Sequence, residues 1–437
     1  MTRLRVAAFL IVVAAWSQIA TAQSSGAEWI AWARDHSYPI AATAPVTDDD
    51  YADLQFFKQV IGDRRLVQLG ESGHGVGQFD SAKVRLVKFF HEQMGFDVIA
   101  FESSIYECFA ANAEAARANT AGATVMIDSI FAVWWSQQTL PLFDYLVRTQ
   151  STGRPLTLAG FDSQYSSPRG VTQRPDFLKR VVAAVDETYA EQVFSFDSAF
   201  VGGLRTNATA YARLHEKDLL DGYSRLEQFL HDRREPLAKA FGSDPSPLIA
   251  ERTAHSMVEY VRQIVASADR PSDQSDSGGG AIRDAAMADN LAFLLRELYP
   301  DKKILVWAHN FHIRHANTAT ASNAQRTMGS FTVQQFRDEL YTIGLYMNRG
   351  LAAFNDRTIY TISAAPAESL EWVLFNVGPP AVFVDFLHQT SEPGNDWIFK
   401  PVFTREWGLY PVFMAPREQY DGVLFIDMVT APAYLVF

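Results

Sequence analysis

The chain has 437 residues, 48% of them hydrophobic and 20% charged, enough for a large buried core in one elaborated domain or two closely joined ones. Its formal net charge of −12 argues against nucleic acid and anionic membranes as partners. Cys108 is the single cysteine, so neither an internal disulfide nor a cysteine-based zinc site can form.

Arg3 and Arg5 precede an apolar run from Val6 to Trp16, and Ala20-Thr-Ala22 before Gln23 has the small residues of a cleavage site. Residues 1–22 therefore read as a secretory signal peptide, too short in its apolar part for a comfortable membrane span. An exported protein is expected, periplasmic or secreted, with no stable membrane insertion after cleavage. Residues 23–176 read as the N-terminal part of an α/β catalytic domain. Trp29–Ala42 is a first expected helix and Asp48–Ile61 a second, with Asp48, Asp49 and Asp50 offering N-cap oxygens. The apolar strand Leu66–Leu69 then runs into Gly70-Glu71-Ser72-Gly73-His74-Gly75, a glycine-punctuated turn that carries a carboxylate and an imidazole.

In Phe79–Met94, Phe79, Ala82, Leu86, Phe89 and Phe90 recur at helical spacing, and Gly95 ends the helix. Lys83 and Arg85 then lie about one turn in from the Glu71/His74 turn. A second strand, Phe96–Glu102, ends on a carboxylate. Helices follow through Ala118, with Cys108 as a small core residue, and again from Phe131 to Thr149, where the run Phe131–Trp135 reads as core with one tryptophan free to line a pocket. A third strand, Pro155–Asp162, ends on Asp162, with Gln164 just beyond. Residues 177–270 are helical and charged, an inserted helical subdomain, and 271–281, rich in serine, aspartate and glycine, read as a flexible loop. Residues 282–437 complete the α/β domain: a helix from Arg283 to Leu298, the strand Lys303–His309 with His312 beyond it, then short strands alternating with helical stretches.

In open α/β sheets, ligands bind outside the carboxyl ends of the strands. The fold class is therefore read as α/β, a central and mostly parallel sheet flanked by helices, with Glu71 and His74, Glu102 and His309 converging on one pocket. A neutral imidazole titrates near operating pH, and a carboxylate partner orients it and stabilises its charged form. Ser72 does not fit a nucleophile elbow, because Gly70 stands two residues before it but His74 two residues after. Asp162 and Gln164 read first as turn hydrogen-bonders, and Arg283 and Asp284 as a helix-start ion pair with a contact to the site left open. Glu71, His74, Glu102, His309 and His312 also offer enough oxygen and nitrogen ligands for a divalent ion. A metallohydrolase and a non-catalytic binding protein thus stand beside metal-free hydrolysis.

Taken in order, the motifs Leu69-Gly-Glu-Ser-Gly-His-Gly75, Phe101-Glu102, Gly160-Phe-Asp-Ser-Gln164, Arg283-Asp-Ala-Ala-Met-Ala-Asp-Asn290, Val306-Trp-Ala-His-Asn-Phe-His312 and Met328-Gly329 resemble the erythromycin esterase family. These are hydrolases that open macrolide lactones, and the resemblance covers most of the chain. It implies an α/β fold with an added helical part, a small-molecule ester or lactone substrate such as a macrolide, a role in antibiotic resistance, and no cofactor or metal. It further implies that His74 is the general base on water, that Glu71 and Glu102 orient and support the histidines, and that His309 binds or protonates the developing oxygen. His312 completes the later histidine pair. Lys83 aligns with a basic residue, implying a cation that stabilises an oxyanion, and Lys83, Asp162, Gln164 and Arg283 are implied as binding or supporting residues. Gly77-Gln78 stands where the family often has Arg-Glu, and Gln137-Gln138 where an acidic stretch is common. These departures imply the same chemistry with altered substrate contacts.

Overall fold

The computed structural model describes residues 26–268, 278–316 and 326–437. The expected signal peptide, 1–22, and residues 271–277 of the expected loop lie outside the described residues. The last residues of that loop, 279–281, already open the helix Gly279–Phe293.

The strands are β1 (Ser37–Pro39), β2 (Leu66–Leu69), β3 (Phe96–Ser104), β4 (Thr157–Asp162), β5 (Lys303–Trp307), β6 (Leu340–Ala353), β7 (Ile359–Ile362), β8 (Ala381–Asp385), β9 (Val402–Glu406), β10 (Tyr410–Met414) and β11 (Gly422–Val429). One mixed sheet runs β1-β8-β11-β6-β2-β5-β3-β4, with β7 also paired to β6. From β11 to β4 every pairing is parallel. β1 and β8 add antiparallel pairings at the other side, β7 pairs antiparallel with the end of β6, and β9 and β10 form a separate hairpin. The expected α/β architecture is therefore present.

The central strands are near-continuous apolar runs because both faces of a parallel sheet are covered by helices. Alternation still sorts them: Leu66, Ile304 and Val306 enter one core, and Val67, Leu305 and Trp307 the other. Between β4 and β5 lie the helices Arg174–Ala183, Glu187–Asp232, Arg234–Phe241 and Ser246–Ala268. They enclose a third core around Phe200, Leu204, Tyr223, Met257 and Val261. Arg174 is buried there in an ion pair with Asp197 at 2.9 Å, and Tyr223 donates to the same carboxylate.

Three expected helices are shorter than periodicity suggests. The first covers residues 26–35 and gives way to β1, since Pro39 cannot continue a helix. Asp48–Ile61 breaks into a 3-10 turn, Ala52–Leu54, and the helix Phe57–Ile61, with Tyr51 at φ 52°. Phe131–Thr149 splits into Ala132–Trp134 and Leu140–Thr149, where Pro141 sits in the first turn of the second piece.

Candidate active site

Because β2, β3, β4 and β5 are parallel, their carboxyl ends meet at one edge of the sheet. The turn after β2 is drawn onto its neighbours by backbone bonds: Gly70 N–H to Ile343 O (2.8 Å), Ser72 N–H to Leu345 O (3.0 Å) and Asn310 N–H to Glu71 O (2.8 Å). The approach is so close that a Cβ on Gly70 would collide with the Asn310 amide, and one on Gly75 with the Ala353 carbonyl. The next helix starts at Gly77 with Val76 as an uncapped N-cap, so Glu71 and His74 are not helix caps.

Glu71 is fully buried and is the hub of the turn. Its Oε1 accepts from His74 Nδ1 at 2.6 Å and from Trp134 Nε1 at 2.8 Å, while Lys83 Nζ lies 2.6 Å from Oε2. A carboxylate can only accept, so Nδ1 of His74 carries a proton, and in the neutral ring Nε2 keeps the lone pair. Lys83 is wholly buried, stacked 4.4 Å from the Trp307 ring centroid. In this structure it holds Glu71, the supporting one of the two roles expected of it. Burial pushes its ammonium pKa down. Asp80 lies in the same cluster with Ser136 as donor at 2.9 Å, and burial together with Glu71 pushes its carboxyl well up, toward the neutral acid. Arg85 points elsewhere, paired with Asp49 and Asp53 at 2.5 and 2.6 Å, and takes no part in the site.

Across the cleft, Glu102 accepts from the His309 backbone N–H at 3.0 Å and from Arg283 Nη2 at 2.7 Å. Burial alone would raise its pKa, but His312, Arg283, His74 and the His309 N–H outweigh it and hold the carboxyl well below its usual range. Arg283 also pairs with Asp162 at 2.5 Å, and Gln164 N–H closes the expected turn onto Asp162 at 3.0 Å. Arg283 is thus anchored by two strand-end carboxylates rather than paired with Asp284 at the helix start. Asp284 instead accepts from His312 Nδ1 and from the Met328 N–H, at 2.8 and 2.9 Å. Burial works against charging His312, yet Glu102 and Asp284 raise its pKa overall.

His309 follows β5. Its Nδ1 accepts from the Phe311 N–H at 3.0 Å, which leaves the proton of the neutral ring on Nε2, and Nε2 is buried without a hydrogen-bond partner. Burial first, then His74 and His312, press its pKa well down, so the ring is neutral and Nε2–H is a donor. Its centroid is 4.9 Å from that of His74, and Trp407 stacks on it at 5.6 Å.

A cleft of about 710 Å³ opens here, lined by His74, Glu102, Gln164, Arg283, His309 and His312 among others. Six of the nine expected site residues face it; behind them Glu71 holds His74, Asp162 holds Arg283, and Lys83 holds Glu71. Ser72 is buried and off the lining, and Cys108 is buried in the core with its thiol pKa raised by burial. Trp134, expected first as core, both borders the cleft and donates to Glu71. Glu406 and Trp407 were not foreseen. Glu406 ends β9, a strand that also carries Thr404 and Arg405, and Trp407 follows it before Gly408, so no apolar run marks them in the sequence. Among the described residues, no three His, Cys, Asp or Glu side chains are grouped to hold a metal ion. No described helix is long and apolar enough to cross a membrane.

The chain matches the model of the erythromycin esterase family over residues 91–429. It is 30% identical over 441 aligned positions to the Bacillus subtilis (strain 168) protein named "Putative hydrolase YbfO", covering 96% of each chain. It is 25% identical to erythromycin esterase type I from Escherichia coli over 61% of this chain and 66% of that one. In structure it resembles a mutant of the erythromycin esterase EreC in its open conformation, with a TM-score of 0.67 at 15% identity, covering 89% of this chain and 96% of that one. The chain belongs to the erythromycin esterase family of hydrolases.

Proposed function

We propose that the protein hydrolyses a carboxylic ester or lactone by direct attack of water that His74 activates. The observation that carries this reading is the Glu71–His74 bond of 2.6 Å, with Glu71 further fixed by Lys83 and Trp134. His74 Nε2 takes the proton of water, and the imidazolium formed is stabilised by the buried Glu71 carboxylate. His309 Nε2–H is the donor for the developing oxyanion; a ring kept neutral binds this oxygen rather than protonating it outright. Glu102 and Asp162 hold Arg283 at the cleft wall, and Asp284 orients His312. The collapse of the tetrahedral intermediate releases an acid and an alcohol.

Metal-free chemistry is favoured by how the carboxylates are occupied. Glu71, Glu102 and Asp162 already face Lys83, Arg283, His74 and the His309 N–H, so a cation entering would have to displace charges that the fold has built in. Phe131, Trp134, Phe311 and Trp407 give the cleft an aromatic wall suited to a bulky, partly apolar substrate, a macrolide among the candidates. With residues 1–22 as a signal peptide, the enzyme would meet that substrate outside the cytoplasm. Incubation of purified protein with a panel of esters and with erythromycin, followed by mass analysis, tests the reading. A water-added product that persists after chelator treatment supports it, and loss of that activity on chelation with recovery on adding a divalent ion would establish the metallohydrolase instead. Absence of any hydrolysed product across the panel would favour a binding role.

A further inference from the structure

We propose that Glu406 is a further catalytic residue of the same cleft, entering the reaction as the neutral carboxylic acid and giving its proton to the leaving alkoxide. The inference rests on the hydrolase reading above. Glu406 ends β9, is only 8% exposed and borders the cleft that His74 and His309 also line. The Trp407 N–H bonds the Ser72 carbonyl at 2.5 Å, which pins this strand end against the Glu71/His74 turn. The Trp407 ring, one residue on, lies 5.6 Å from both imidazole centroids.

The carboxyl has one engaged and one unengaged oxygen. Oε1 accepts from Tyr346 OH at 3.3 Å, and Tyr346 in turn shares a hydroxyl contact of 3.2 Å with Tyr420. Oε2 is buried with no hydrogen-bond partner. An ionised oxygen left so would carry the full desolvation penalty, whereas a protonated one is a donor awaiting an acceptor. The groups that bear on it are Arg314, beyond the helix Asn310–Ile313, which favours the charged form; Tyr346, which does the same through its bond; and Glu371, which opposes it. Burial outweighs the first two and pushes the pKa up to about 7. Glu71 is tied to a lysine and Glu102 to an arginine, so neither can play this part.

The step balances. Water adds to the carbonyl carbon as His74 takes its proton; the bond from that carbon to the alkoxy oxygen then breaks, its electron pair stays on the oxygen, and Oε2–H protonates it. The alcohol leaves, Glu406 is a carboxylate, and the proton held by His74 returns to it through solvent. Two carboxyl environments with divergent pKa values in one cleft are the usual arrangement for dividing support and acid roles.

The test compares two esters of one acyl group, a nitrophenyl ester whose leaving group needs no proton and an alkyl ester whose leaving group does. In Glu406→Gln, the ratio of nitrophenyl to alkyl kcat/KM should rise by about a hundredfold at neutral pH, the scale of general-acid catalysis. The fall in alkyl-ester rate as pH rises through about 7 should vanish with it. An unchanged ratio with the basic limb still present would overturn the assignment, as would an equal loss on both esters. His74→Gln is measured alongside. Loss there with an unchanged ratio in Glu406→Gln removes the Glu406 role alone, whereas no loss in His74→Gln removes the hydrolytic reading and this inference together. Glu406→Asp, which keeps the acid, should recover part of the alkyl-ester rate and so separates chemistry from misfolding.

Discussion

Replacing Glu71 by glutamine separates the catalytic part of the buried cluster from its structural part. When His74 takes a proton, its new charge faces the Glu71 carboxylate across a 2.6 Å hydrogen bond. With an effective dielectric constant of about 20 and charge centres about 4 Å apart, that attraction is about 4 kcal/mol, or about a thousandfold in rate. Glutamine keeps an acceptor but no charge, so kcat should fall by about a hundredfold to a thousandfold with KM little changed. The same change leaves Lys83 buried opposite a neutral group. Breaking a buried pair this way costs about 3–5 kcal/mol, less whatever Lys83 regains by releasing its proton, which burial already eases. The double variant Glu71→Gln/Lys83→Met removes both charges, so its urea midpoint should return toward the parent while kcat stays low. Steady-state kinetics and urea unfolding on the three proteins decide it. A folded Glu71→Gln with kcat within about tenfold of the parent would refute the role given to the carboxylate.

Other consequences follow from the same geometry. Trp134→Phe keeps the aromatic wall but removes the 2.8 Å donor to Glu71, a charge-assisted bond worth about 1.5–3 kcal/mol, so kcat should fall by about tenfold or more; unchanged kcat would make Trp134 a wall residue only. Glu102 is held below its unfolded pKa of about 4.3, so its contribution to stability is present above that pH and is lost as pH falls below it. Unfolding midpoints measured from pH 6 to pH 3 should therefore drop less steeply in Glu102→Gln than in the parent, and parallel slopes would contradict the assignment. Water attacks directly in the proposed mechanism, so rapid-quench mass spectrometry should find no substrate-sized mass on the protein. An adduct on Ser72 that vanishes in Ser72→Ala would replace that mechanism with an acyl-enzyme one.

Much of the fold and of the site is legible in the sequence because parallel strands are short apolar runs whose ends must carry the chemistry. β2, β3, β4 and β5 each announce themselves this way, and Glu71, His74, Glu102, Asp162 and His309 are simply the polar residues at their ends. What periodicity cannot carry is which partner a buried charge chooses. Arg283 bonds Asp162 and Glu102 from a distant segment, while its neighbour Asp284 goes to His312. Lys83 reads as a helix cation near the site, but its direction into Glu71 rather than into the cleft depends on the packing of Trp307 beneath it. Trp134 hides in an aromatic run that looks like core because it is core on one side. Glu406 and Trp407 come from a hairpin outside the main sheet, where no strand order brings them to the others until the Trp407 N–H meets Ser72.

The most direct measurement is kcat/KM for His74→Gln against the parent, on whichever ester the panel identifies, with circular dichroism and melting to establish that both are folded. Loss of the base should reduce turnover by about a hundredfold or more while leaving KM close to its parent value. A folded His74→Gln that turns over at near-parent rates would contradict histidine-activated water as the chemistry of this cleft.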